Sequence, residues 1–194
     1  MNLNNIIFIL GNGRSGTHMI ADLIKSSGKY EYNGEEEPAF TLSCKINIYN
    51  QYELIPDLLN FYKNKNNYID KCHPNLWIAN LLKTNFPNAK FIIAVRQKPG
   101  NMESMLKHNG CMSWFNDKNI KFPNKFIGVQ SESQLKKISK TELCELRYTS
   151  HINEITNLKN NNFRALYFEY ENRFEHANLL EKYLNIKIDK TILR

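Results

Sequence analysis

Ile6-Ile7-Phe8-Ile9-Leu10-Gly11-Asn12-Gly13-Arg14-Ser15-Gly16-Thr17-His18 is the stretch whose reading decides the fold. Its five unbroken apolar residues read as a strand buried on both faces. A glycine-rich turn follows. Beyond it Met19, Ile20, Leu23 and Ile24 fall at helical spacing, predicting a helix over about 16–27. In this strand, loop and helix arrangement, backbone N–H groups and the helix dipole receive phosphate-type anions, and glycines let the chain close around them. An ordinary glycine-rich strand-to-helix turn has the same outline. A nucleotide-hydrolysing loop reads G-x-x-x-x-G-K-[S/T]; with Gly11 and Gly16 as its glycines, the Lys position is Thr17 and the magnesium-ligand position is His18. The cation lies inside the loop instead, at Arg14, whose planar fork suits phosphate or sulfate oxygens.

A second buried run, Phe91-Ile92-Ile93-Ala94-Val95, precedes a helix at about 101–108. Shorter strands are predicted at 68–70 and 165–169, and helices at about 52–62, 74–84, 139–158 and 175–184. Residues 110–130 hold Trp114, Phe115, Phe122 and Phe126 without periodicity and read as an irregular excursion, its rings either lining a pocket or plugged onto the core. The alternation predicts an α/β, P-loop-like three-layer fold with a central, mainly parallel sheet flanked by helices. Ligands belong at the carboxyl ends of its strands. No repeat or linker divides the chain, so residues 1–194 read as one domain.

With 194 residues, 42% hydrophobic and 23% charged, the chain is long enough to build its own core, which excludes a disordered chain or a small disulfide scaffold. Cys44, Cys72, Cys111 and Cys144 stand far apart, without metal-ligand spacing, as expected of reduced thiols in a cytoplasm. The run Ile6–Leu10 is too short to span a bilayer and lacks the flanks of a signal peptide, so a cytoplasmic location without a membrane span is expected. A net charge of +7 favours an anionic ligand. Much of the excess lies in Asn-rich stretches such as 63–67, which read as solvated surface and do not by themselves imply nucleic acid.

Arg14-Ser15-Gly16-Thr17 resembles the [K/R]-S-G-T loop of sulfotransferases that use 3′-phosphoadenosine-5′-phosphosulfate (PAPS). Arg96 at a strand end and Ser104 eight positions later resemble that family's 3′-phosphate site, with Gln97 in place of its usual Asp. Asp70-Lys71-Cys72-His73-Pro74 resembles both the K-T-H segment of cytosolic members and the E-K-T-P segment of bacterial and membrane-type members. Tyr167-Phe168-Glu169-Tyr170-Glu171 resembles a Y-E-D-L strand end, with Asn172 in place of the Asp, and reads as structural.

The resemblance implies that Gly11, Gly13, Arg14, Ser15, Gly16, Thr17, His18, Arg96 and Ser104 bind PAPS and its product PAP (3′-phosphoadenosine-5′-phosphate), with no metal. Arg14 and Lys71 would stabilise a sulfuryl group in flight. The general base is Glu37, by resemblance of Glu35-Glu36-Glu37-Pro38 to bacterial members and with the neighbouring Glu35 and Glu36 as alternatives, or His73, by resemblance to cytosolic ones. The acceptor is expected to be a small molecule or saccharide, or a lipid, bearing a hydroxyl or amine; nucleic acid is not an expected partner. The R-K-G loop of cytosolic members has no counterpart before Arg194. Two other readings stand beside this one: a P-loop kinase or NTPase, and a non-catalytic basic module for polyanions.

Overall fold

The computed structural model describes residues 5–32 and 34–194, and its first apolar run forms β1 (Ile6–Gly11), which leads into α1 (Thr17–Lys25). There follow α2 (Ala39–Ile48), α3 (Ile55–Lys63), β2 (Tyr68–Asp70), a 3-10 turn (His73–Ile78) continuous with α4 (Ala79–Asn85), and β3 (Lys90–Val95). Next come α5 (Lys98–Leu106), α6 (Asn109–Phe115), α7 (Glu132–Leu135), α8 (Lys140–Asn160), β4 (Leu166–Glu169), α9 (Arg173–Leu184) and a last 3-10 turn (Lys190–Leu193). The four strands lie in the order β2-β1-β3-β4, and every pairing is parallel. Phe8 stands beside both Asp70 and Phe91, and Ile93 beside Tyr167.

Side chains alternate across a strand, so one run of apolar residues supplies two cores. Ile6, Phe8, Leu10, Phe91 and Ile93 pack with Ile46 of α2, Tyr62 of α3, Leu82 of α4 and Leu158 of α8. Ile7, Ile9, Ile92 and Ala94 face the other way, onto Ile20 and Leu23 of α1 and Ala177 and Leu180 of α9. This is the expected α/β, three-layer architecture. Helices cover both faces, as a parallel sheet requires. The chain leaves β1 toward β2 and leaves β3 toward β4, in opposite directions across the sheet. The crevice of such a sheet opens where the direction reverses, here at the carboxyl ends of β1 and β3. The Gly11–Thr17 loop and the Arg96 turn occupy those two ends.

Several elements depart from expectation. The segment 74–84 divides into a 3-10 turn that begins at His73-Pro74 and a shorter helix. α5 starts at Lys98, before the expected 101, because Pro99 fits a first helical turn, where no N–H is needed. α2 was not expected, and α6 lies inside the stretch read as irregular. Phe115 and Phe126 of that stretch are buried in a third cluster with Met105, Ile127, Leu143 and Cys144, and Phe122 packs against it. These three rings plug the core. The side chain of Trp114 lies outside the described residues. All four cysteines are free thiols, and no helix among the described residues is long and apolar enough to cross a membrane.

Candidate active site

β1 ends on Gly11 at φ +134°, where a Cβ would collide with the Ala94 carbonyl of β3. Gly11 therefore serves the close approach of the two strands, and it lines neither of the cavities described below. The loop beyond it is held from α5. Asn101 is fully buried; its Nδ2 donates to the Gly13 carbonyl (3.1 Å) and the Ser15 hydroxyl (3.0 Å), and its Oδ1 accepts from Asn12 Nδ2 (2.9 Å). Ser15 is buried by this clamp and also lines neither cavity. Asn101→Ala would strip three loop groups of a partner, each costing about 1–3 kcal/mol when left unsatisfied. Urea unfolding is expected to show a stability loss of about 2 kcal/mol or more at an unchanged slope.

Arg14 follows in the left-handed region at φ +70°. Its carbonyl accepts from Arg96 Nη1 (3.1 Å), and its Nε donates to the Ser104 hydroxyl (3.1 Å). Two motifs far apart in sequence thus meet. The Arg96 guanidinium lies 4.4 Å from the centre of the Tyr170 ring, and that of Arg173, at the start of α9, 5.5 Å from it. Gly16 starts α1 at φ +85°, where a Cβ would come within 2.7 Å of the Tyr170 ring. Arg14, Gly16, Arg96, Ser104, Tyr170 and Arg173 line a cavity of about 380 Å³, whose described lining includes no Asp or Glu side chain.

A second cavity, of about 310 Å³, opens on the other side of the loop around Lys71. Lys71 leaves β2 in a turn held by Asp70, whose buried carboxylate accepts from the Cys72 N–H (3.2 Å) and Asn75 Nδ2 (3.3 Å). Only 2% of the Lys71 side chain is exposed, and its ammonium bridges two groups, donating to His18 Nε2 (2.7 Å) and to the Glu35 carboxylate. An ammonium has no lone pair, so His18 Nε2 must be the acceptor and the ring proton sits on Nδ1, donating to the Tyr32 hydroxyl (3.1 Å). Burial, then the neighbouring Lys71, lower the His18 pKa from the usual value of 6.5. His73 is held well below that value by burial first, then by Arg147 and Lys71. Both rings are neutral at pH 7.

Gly13 brings the loop against these groups: a Cβ there would lie 2.9 Å from Arg147 Nη2 and 3.3 Å from His73 Nε2. Arg14, Thr17 and His18 line both cavities.

Of the three consecutive glutamates, the one that reaches the Lys71 cavity is Glu35. Glu36 pairs with Lys65 at 2.6 Å. The expected Glu37 is exposed and turned to the first turn of α2, accepting from the Thr41 hydroxyl (2.8 Å) and N–H (3.4 Å). It does not line the cavity, whereas the neighbouring Glu35, one of the alternatives the sequence offered, does. Asn101, Arg173 and Arg147 were not singled out from sequence, and Tyr170 was read only as part of a structural strand end. Arg147 left a signal: Leu143, Arg147, His151, Ile155 and Leu158 recur at helical spacing along α8, so an arginine stands on the buried stripe.

A glycine-rich strand-to-helix loop at the switch point of a parallel sheet, beside an arginine cluster and a buried lysine, has the outline of a P-loop-like α/β fold. The chain matches no protein-family model and no curated protein. Among solved structures it is similar to the sulfotransferase domain from the Synechococcus PCC 7002 olefin synthase, at 15% identity and a TM-score of 0.58, over 99% of this chain and 77% of that one. The fold is that of a sulfotransferase.

Proposed function

We propose that the chain, acting as one domain, is an enzyme that transfers a sulfuryl group from PAPS to a hydroxyl or amine of an acceptor, leaving PAP. The observation that carries this reading is the pair of cavities sharing Arg14, Thr17 and His18. The cavity around Arg96 suits a nucleotide with two separated anions: it is lined by Arg14, Arg96, Arg173 and Ser104, with the first turn of α1 beside them. Arg96 and Ser104 would take the 3′-phosphate, and the loop from Gly13 to Thr17 the 5′ side. Arg173 and Arg194 add further guanidinium groups to the lining of this cavity. When bound, PAPS supplies the sulfuryl group and its own leaving phosphate.

The chain's part is to bind, neutralise and accept a proton. Lys71 reaches His18 of the shared wall from the second cavity and is fixed between His18 and Glu35, so electrostatic stabilisation there needs no reorganisation. Glu35 is the better base. Taking a proton neutralises a carboxylate, whereas it would charge His73 beside Arg147 and Lys71, which the depressed pKa of that ring already opposes.

The test is a thermal-shift comparison of PAP, ATP with magnesium, and an oligonucleotide. A ligand present at a hundred times its Kd adds about 2.7 kcal/mol to stability, which PAP is expected to show without magnesium. Stabilisation by magnesium-ATP that exceeds that by PAP would favour the NTPase reading. Stabilisation by any polyanion, lost steeply with salt, would favour the basic module.

A further inference from the structure

His18 stands where a nucleotide-hydrolysing loop places the hydroxyl that holds magnesium, and its ring turns to Lys71 instead. A neutral imidazole has one lone pair and one N–H. The lone pair, on Nε2, accepts from the Lys71 ammonium at 2.7 Å, and the N–H, on Nδ1, lies 3.1 Å from the buried Tyr32 hydroxyl. Both ring nitrogens are therefore engaged within the protein, although the ring also lines the cavity around Arg96. Of the three N–H groups on Lys71, His18 and Glu35 take two, which leaves one, among the described residues, for the cavity that Lys71 lines. The His18 lone pair thus fixes the place of an almost fully buried cation. A second proton on the ring would fill that lone pair and set two cations against each other.

The groups facing the ring act in both directions. Burial first, then Lys71 beyond β2 and Arg14 of the loop, oppose its charging, whereas Glu35, and Asp22 one turn further along α1, favour it. His73, at the head of its 3-10 turn, disfavours a second charged ring. The Tyr32 hydroxyl, pushed by burial and then by Asp22 above its usual value, stays neutral.

We propose that His18 is a positioning residue, a latch that holds the Lys71 ammonium between the two cavities while its ring is neutral and releases it when the ring takes a proton. The proposal rests on the sulfotransferase reading, in which that ammonium stabilises the sulfuryl group, and it adds an acid-sensitive control. It also removes His18 from the polar contacts of the nucleotide, since neither ring nitrogen is left to make one.

Nuclear magnetic resonance of the protein without nucleotide tests it, following the ring nitrogens of His18 and the Cε signal of Lys71 from about pH 8 to about pH 4, across the histidine and glutamate ranges. His18 is expected to carry its proton on Nδ1 at the neutral end, and the Lys71 signal to shift in two steps, one with His18 and one with Glu35. In His18→Gln, whose amide oxygen can accept from Lys71 but takes up no proton, the His18 step should vanish while Lys71 keeps its neutral-pH position. His18→Leu, with no acceptor, should displace the Lys71 signal at every pH. Titration of both variants with PAP should give affinities within about threefold of wild type, below the loss of a charged hydrogen bond. A ring proton on Nε2 overturns the proposal, as does a Lys71 signal indifferent to His18, or a ring that takes no proton before the protein unfolds. So does a loss of PAP affinity of about tenfold or more in both variants, since the ring would then hold the nucleotide. If His18→Leu does not fold, wild type and His18→Gln decide. Failure of wild type to bind PAP, with the two-step shift of Lys71 intact, would instead bring down the sulfotransferase reading.

Discussion

Glu35→Gln is expected to slow single-turnover sulfuryl transfer by about a hundredfold to ten-thousandfold, the range of a lost general base, while PAP affinity stays close to wild type. The glutamine keeps the size of the side chain and one carbonyl oxygen for Lys71, so the bridge from Glu35 through Lys71 to His18 can persist. What disappears is the basicity. Removing a negative charge cannot weaken binding of an anionic nucleotide by repulsion, so the loss should fall on the chemical step. Glu37→Gln is the companion measurement. Its carboxylate bonds Thr41 at the start of α2, outside the cavity, and its replacement should leave turnover near normal. If Glu35→Gln turns over normally while His73→Ala abolishes transfer at unchanged PAP affinity, the base is His73.

Arg96→Ala is expected to weaken PAP by about tenfold to a hundredfold, as hydrogen bonds to charged groups are worth about 1.5–3 kcal/mol. The same substitution should weaken adenosine 5′-phosphosulfate, which has no 3′-phosphate, by only about threefold or less, far below the loss of a charged hydrogen bond. That smaller loss has a structural source. Arg96 also holds the Arg14 carbonyl at 3.1 Å, so its removal loosens the loop on which the 5′ side depends. Equal losses for the two ligands would mean that Arg96 works through the loop alone and reads no 3′-phosphate.

The strands were legible because Ile6–Leu10 and Phe91–Val95 are apolar in every position, a pattern that a strand buried on both faces imposes. α2 was hidden because its apolar residues, Ala39, Phe40, Leu42, Ile46 and Ile48, are spread around the helix with no clear polar face, and it packs against α3 and the 3-10 turn His73–Ile78. In the candidate site, Arg14 was read from the glycine-rich loop and Arg96 and Ser104 from the family resemblance, and the structure brings them into contact. Three adjacent glutamates give no period from which to tell the one that faces inward. The turn geometry decides, sending Glu35 to Lys71, Glu36 to Lys65 and Glu37 to Thr41. Asn101 was passed over because an Asn in the first turn of a helix usually signals local capping, whereas here it reaches across to the Gly13–Ser15 loop.

Arg14, Thr17 and His18 form a wall common to both cavities. Whatever occupies one cavity therefore sets the posture of side chains that the other must use, and the two affinities become thermodynamically linked. By reciprocity, the factor by which nucleotide strengthens or weakens acceptor binding equals the factor by which acceptor changes nucleotide binding. In the proposed reaction, a product whose new sulfate ester pressed on Arg14 from one side would by the same rule alter the equilibrium hold on PAP from the other.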